Sequence, residues 1–256
     1  MPRLGLRREG FRGVWPQVEK RVVRRVHQLG LDELAEYRAL LERDPAEWRV
    51  LDAACRITIS RFRRDRATFD ELEANALPEL AERVRRSKRP NVRALSVGCA
   101  RGEEAYSLVM SWSAAVAPAF PDVRLEVVAL DSDPAQVARA RTAVYDDGAL
   151  AEVPDEIART AFEGDGRRRV VPRLRAPVEF AVADVRDWLP DGPFDLVLCR
   201  NLVLTYFDAV TRDRVLARIV ERMAPAGFLV IGKRERLPEL AFEEPSPGTH
   251  VFRRKQ

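Results

Sequence analysis

Apolar residues recur at helical spacing through the first part of the chain and as short continuous runs after residue 90. Val18, Val22, Val26 and Leu29 form one stripe over residues 16–30, with Lys20, Arg21, Arg24 and Arg25 off it and Gly30 as a stop signal. Asp32 is placed to cap a second helix with Leu34, Tyr37 and Leu41 turned inward. Asp44-Pro45-Ala46-Glu47 predicts a third start, with a cap, a proline at the first position and a glutamate three after the cap. Trp48, Leu51 and Cys55 are its expected buried face. Residues 57–66 mix apolar and basic side chains without a period. Thr68 to Glu71 reads as a capping box, and Phe69, Leu72, Leu77 and Leu80 carry a helix to about Arg86. The Arg83–Arg89 charge run, closed by Pro90, reads as a solvated linker.

From Asn91 onward the pattern predicts alternating strands and helices. Ala94, Leu95 and Val97 form a buried strand, Gly98 and Gly102 bracket a tight turn, and Ala105, Leu108, Val109 and Trp112 return at helical spacing. A second strand, Val123–Leu130, ends in Asp131-Ser132-Asp133-Pro134, and Pro134 starts a helix. Residues 144–176, with Gly148, Pro154, Gly164, Gly166 and Pro172, read as an insertion holding a helix and a small hairpin. Val178–Val182 precedes Asp184 and Val185. Phe194–Cys199, almost wholly apolar, runs into Arg200-Asn201. Thr211–Met223 is amphipathic. Pro225-Ala-Gly227 is expected to turn into a fifth strand from Phe228, and Thr249–Arg253 to close the sheet. The expected fold class is α/β: a small all-helical N-terminal domain over 1–86, a linker at 87–90, and a doubly wound, Rossmann-like domain over 91–256.

Composition narrows the classes. Hydrophobic content of 46% can fill a core, and 33% charged residues keep the chain in water. No apolar run approaches ~18 residues, so no membrane insertion is expected, and the basic stretch Met1–Arg12 lacks the apolar segment of a signal peptide. Three cysteines and two histidines, none paired at ligand spacing, predict reduced thiols, a cytoplasmic location and no metal site. Residues 1–90 hold 21 basic and 15 acidic side chains, whereas the remainder holds 23 and 25. That half can face an acidic partner or simply present a solvated surface. Nucleic acid is not expected, because no base-stacking aromatic motif accompanies the charge.

The glycine turn carries the first candidate chemistry. A dinucleotide turn is G-x-G-x-x-G with pyrophosphate on the helix N-terminus. Here the spacing is G-x-x-x-G, and the helix opens with Glu103 and Glu104. Two carboxylates suit the helix dipole but repel a phosphate. They tolerate a cation or ribose hydroxyls, and S-adenosylmethionine has a sulfonium, an ammonium and a ribose but no phosphate. An acid at the end of the second strand is where doubly wound folds bind ribose. Asp131 is the better placed for that, since Asp133 can be the cap before Pro134.

Three stretches, in order, resemble the CheR-type chemoreceptor glutamate O-methyltransferases. Gly98-Cys-Ala-Arg-Gly-Glu-Glu-Ala-Tyr-Ser-Leu108 matches the family's G-C-[SA]-x-G-E-E-x-Y-S-L. Cys199-Arg-Asn-Leu-Val-Leu-Thr-Tyr-Phe207 resembles its C-R-N-x-x-x-Y-F motif, and Ser60-Arg-Phe-Arg-Arg-Asp65 its T-x-F-F-R-D. The resemblance covers about residues 16–255. It implies a bacterial, S-adenosylmethionine-dependent methyltransferase whose acceptor is a glutamate of a protein, a chemoreceptor or another acidic signalling partner met through the basic N-terminal helices. It places the catalytic arginine on Arg64, its neighbouring threonine on Ser60 and, as a further catalytic residue, the tyrosine that closes the second motif on Tyr206. It places the cofactor on Gly98, Cys99, Ala100, Gly102, Glu104, Asp131, Ser132, Asp184, Val185, Arg200 and Asn201.

This chain departs from the family pattern in four places. Arg63 replaces the second phenylalanine, Asp184 replaces an asparagine, one residue is added between Asn201 and Tyr206, and the insertion is short and Arg-rich. Another protein or a small carboxylic acid as acceptor, or a cofactor-binding module without catalysis, are the competing readings.

Overall fold

Valine at every fourth position makes the first helix one-sided. In α1 (Trp15–Gln28) Val18 and Val26 are buried and Val22 half-buried, while Lys20 and Arg24 face water. The computed structural model describes residues 2–238 and 242–255. Its contacts divide the chain into two units, Met1–Thr58 with Tyr206–Thr211, and Ile59–Thr205 with Arg212–Gln256. The first unit contains α1, α2 (Leu34–Arg43) and α3 (Glu47–Ala54). Glu47 joins all three: Arg25 grips its carboxylate through Nε and Nη2 at 2.9 and 2.8 Å, and the Tyr37 hydroxyl donates to Oε1 at 2.9 Å. Arg25 is the main reason that this carboxyl lies below its usual range.

The helix starts differ from the sequence expectation. Glu33, not Asp32, caps α2, in a reciprocal box with Glu36 whose carboxylate also accepts from the Asp32 N–H. The Asp44 carboxylate accepts from the Ala46 N–H, so Pro45 and Ala46 form a turn and α3 begins at Glu47. Leu34, expected inside, is 58% exposed because it stands at the first helical position, beyond the packed stripe.

Residues 59–86, expected with the N-terminal helices, pack into the second unit. Phe62 is fully buried, edge-on to Tyr145 and Phe162 at 4.7 and 5.2 Å, and its N–H donates to Ala149 O. α4 (Arg66–Glu71), a π-helical stretch over Leu72–Ala76 and α5 (Leu77–Arg86) bury Phe69, Leu72, Leu77, Leu80 and Val84 completely. The helix starts before the expected capping box, and the Thr68 hydroxyl donates instead to Thr249 O.

The strands of this unit are β1 (Asn91–Val97), β2 (Arg124–Asp131), β3 (Val144–Asp146), β4 (Phe162–Glu163), β5 (Arg167–Val170), β6 (Val178–Val182), β7 (Phe194–Leu198), β8 (Met223–Val230), β9 (Phe242–Glu243) and β10 (Val251–Arg254). The large sheet runs β6-β2-β1-β7-β8-β10-β9; its first five strands are parallel and the last two antiparallel. Strand order reverses at β1, which puts the ligand crevice of such folds outside the carboxyl ends of β1 and β7. α6 (Glu103–Ser111) and α7 (Pro134–Thr142) follow β1 and β2, α10 (Val203–Tyr206) and α11 (Ala209–Glu221) follow β7. Pro225–Gly227 lies within β8 rather than before it, at a register irregularity opposite β7 where Ala226 has φ 53°. The insertion folds as α8 (Asp155–Ala161), α9 (Pro172–Arg175) and a three-stranded antiparallel sheet β3-β5-β4, one strand more than a hairpin.

The expected linker is an anchor. Asp195, fully buried near the start of β7, accepts from Arg89 at 2.6 and 3.3 Å, from Arg83 at 3.5 Å and from the Arg93 N–H at 3.0 Å. Replacing Asp195 by Ala strands those donors, and the two arginines can only partly rehydrate. The variant is expected to lose about 2–3 kcal/mol of stability, read as a lower midpoint in urea denaturation followed by circular dichroism.

Candidate functional site

The turn after β1 is stitched to the end of β2. The N–H groups of Gly98 and Cys99 both donate to Leu130 O, at 2.8 and 2.9 Å, and the Ala100 N–H donates to Asp131 Oδ2 at 2.9 Å. Gly98, Ala100 and Gly102 have φ of 77°, 48° and 90°, a curl that two glycines make accessible. A Cβ on Gly98 would stand 2.8 Å from Leu202 Cδ2, so glycine here also lets the loop after β7 close on the turn. Asp131 Oδ1 accepts from the Asp133 N–H, and Asp133 accepts from Ala135 N as the cap of α7. The two acids are thereby separated in role: Asp133 serves the helix, and Asp131, next to half-buried Ser132, stands at the end of β2 and braces the turn after β1.

Cys99 and Ala100 are buried. Burial pushes the Cys99 thiol well above its usual range, and the Asp131 and Glu104 carboxylates add to the effect. Glu104 accepts from the Ser96 hydroxyl at 2.7 Å and from Arg200 Nη1 at 3.3 Å. Burial raises the Glu104 carboxyl, opposed by Arg200, by Ser96 and, more weakly, by the nearby charge of Arg64.

Arg200 is the hub. Its side chain is 3% exposed, and besides Glu104 it reaches Arg64 O and Asp65 Oδ2, each at 2.7 Å. Segment 64–65 is thus tied to the carboxyl end of β7 and to the first turn of α6. Arg64 itself is half-buried and donates from Nη1 to Ile59 O at 3.0 Å. Ser60 lies in the same segment, half-buried. The structure therefore gathers Gly98–Gly102, Glu104, Asp131, Arg200 and Arg64 around neighbouring strand ends.

Other expected residues stand differently. Asp184, beyond β6 and beside buried Val185, has its carboxylate gripped by Arg186, Nε to Oδ1 at 3.0 Å and Nη2 to Oδ2 at 2.6 Å. Asn201 adopts φ 55°, and its N–H donates to Glu235 Oε2 at 2.9 Å. Tyr206 belongs to the first unit, where its ring lies 4.8 Å from Phe11 and its carbonyl accepts from Arg7 N. Glu235 was not anticipated. This buried carboxylate also accepts from Gly232 N at 2.6 Å and from the Thr205 hydroxyl at 2.6 Å, joining the ends of β7 and β8. The Lys233–Arg236 stretch around it is polar and aperiodic, so no pattern marked it.

The donor set suits a cationic ligand with hydroxyl groups and opposes a phosphate. Asp131→Ala is expected to weaken S-adenosylmethionine binding about 10- to 100-fold, the scale of a hydrogen bond to a charged group, measured by titration calorimetry. Glu104 gives a second expectation. With its carboxyl raised, it takes up a proton at higher pH than an ordinary glutamate, so affinity for a cationic ligand is lost as pH falls through that raised value. Glu104→Gln is expected to bind more weakly at neutral pH and to flatten this acid-side decline.

Comparison with known proteins shows the family. The family model described as "CheR methyltransferase, SAM binding domain" matches residues 58–251, a span that opens where the contacts divide the chain. A chemotaxis protein methyltransferase of Salmonella typhimurium is 32% identical over 244 residues, 92% of this chain and 81% of that protein. Chemotaxis protein methyltransferase 2 of Pseudomonas aeruginosa is 32% identical over 242 residues, 92% of this chain and 83% of that protein. The chain belongs to the CheR methyltransferase family of S-adenosylmethionine-dependent methyltransferases.

Proposed function

We propose that this methyltransferase esterifies side-chain glutamates of a chemoreceptor, and that Arg64 holds the acceptor carboxylate. The observation that carries the reading is the placement of Arg64. Its backbone is fixed by Arg200, and its charge is felt by Glu104 at the strand ends where the cofactor crevice of this fold lies. A guanidinium fork matches a carboxylate in two parallel hydrogen bonds. The printed descriptions of the relatives support a chemotaxis acceptor. The exposed Lys20 and Arg24 of α1 offer a basic surface to an acidic partner.

S-adenosylmethionine supplies a methyl group activated by a positively charged sulfur. The residues around it divide the work. Asp131, with Ser132, receives ribose hydroxyls; Glu104, at the start of α6, faces positive charge; Asp184 and Val185 line the adenine end; and the Gly98–Gly102 backbone, with Cys99 and Ala100, lets the ligand approach. Arg200 and Asn201 hold the loop after β7. A glutamate acceptor is ionised at neutral pH, with an ordinary pKa of about 4.3, so no base is needed. The acceptor oxygen forms its bond to the methyl carbon as the carbon–sulfur bond breaks and its electron pair stays on sulfur. No proton moves. Arg64, with Ser60 in the same segment, aligns the two reactants, and alignment is the main catalytic demand of such a displacement.

Arg64→Ala is expected to keep cofactor affinity within about threefold and to lower transfer at least about 100-fold, as judged by calorimetry and by a tritiated-methyl assay on receptor-containing membranes. The label should be released by mild alkali, as a carboxyl ester is. Wild-type turnover in the variant, or an alkali-stable product, overturns the proposal.

A further inference from the structure

We propose that Arg63, the residue next to the acceptor-holding arginine, is a positioning residue that aims Arg64 by anchoring its own buried guanidinium. The inference rests on the reading of Arg64 given above. Arg63 is 2% exposed, as buried as a core leucine, although a fork of five donors is costly to bury. Its partners explain how it stays there. Nη1 donates to Ser111 Oγ at 3.2 Å, Nη2 to Asp70 Oδ1 at 3.1 Å and Glu73 Oε2 at 3.3 Å, and Nη1 also pairs with Glu73 Oε1. Its backbone N–H donates to Ser107 Oγ at 2.9 Å. These partners come from α4, the π-helical stretch and two successive turns of α6, so the side chain is fixed from several directions.

The backbone shows what that anchoring achieves. Arg63 has φ 49° and Asp65 φ 64°, two left-handed residues flanking Arg64. Each such conformation costs on the order of 1 kcal/mol for a residue with a Cβ, and it persists only where the surroundings over-determine it. Arg63 supplies one clamp, through its ion pairs and Ser107. Arg200 supplies the other, through Arg64 O and Asp65 Oδ2. Both guanidinium groups lie 5.6 Å from the centroid of the same Phe69 ring. Between the clamps the direction of the Arg64 Cα–Cβ bond is set. A neutral or shorter side chain at 63 leaves Glu73 without its cation and Asp70 with Arg66 alone, and removes the force that holds the left-handed turn.

The test is a double-mutant cycle in the full-length protein, using Arg63→Met, Arg64→Lys and the pair, with Arg64→Lys chosen because it keeps a positive charge while removing the fork. Arg63→Met is expected to lower kcat about 10- to 100-fold with cofactor Kd changed less than about threefold, the pattern of a misaimed group. In the Arg64→Lys background the same change is expected to cost under about threefold, because the cycle couples only residues acting through one another. Arg63→Lys, which keeps the charge but not the fork, should fall between wild type and Arg63→Met. If Arg63→Met fails to fold, Glu73→Gln loosens the same clamp and should show the same coupling to Arg64, with its loss of kcat largely absent in the Arg64→Lys background. Equal losses in both backgrounds, or a folded Arg63→Met with wild-type kcat, overturn the proposal. An Arg64→Lys variant as active as wild type would instead refute the role of Arg64.

Discussion

A guanidinium cannot be buried without partners, and at Arg200 that constraint organises the site. Both terminal nitrogens of its 3% exposed side chain are paired, with Glu104, Asp65 and the Arg64 carbonyl. Those groups come from the first turn after the glycine loop and from a segment some 135 residues earlier in the chain. The cost of leaving such a charge unpaired, several kcal/mol, is what ties an irregular, basic stretch to the carboxyl edge of a parallel sheet. Glu104 is correspondingly balanced: burial favours its neutral form, and Arg200 favours the charged form.

A second carboxylate performs the complementary task. Glu235 binds backbone N–H groups of Asn201 and Gly232 and so fixes how β7 and β8 end. Arg200 sits immediately before Asn201, whose left-handed φ is held by that bond. The loop is therefore held by an acid at one residue and a cation at the next, and the donor side of the crevice inherits its shape from both.

How much of this was legible in the sequence depended on whether a feature is local. The strand, glycine turn and helix of 91–111 declare themselves through runs and periods, and so does the acid at the end of β2. Asp133 as a cap was readable from Pro134 alone. The three motifs carried the family. What escaped was mostly long-range. Arg83 and Arg89 look like a solvated charge run until Asp195, over a hundred residues away, is placed beneath them. Residues 59–86 have helical content like that of the preceding helices, yet Phe62 finds its aromatic partners in the insertion. The start of α2 failed for a local reason: Asp32 and Glu33 are both acids able to cap, and pattern alone did not choose between them. Arg63 was visible as a departure from the family, but its ion pairs required the fold.

The raised thiol of Cys99 bears on chemical self-protection. A sulfonium methyl is a general alkylating agent, and a thiolate is a far better nucleophile than a carboxylate. Cys99 stands in the turn proposed to receive the donor, and there desolvation and the neighbouring acids favour the protonated form of its sulfur. Under the proposed reading, the acids that would welcome the cation are thus also the ones that hold the thiol of this turn in its less nucleophilic form.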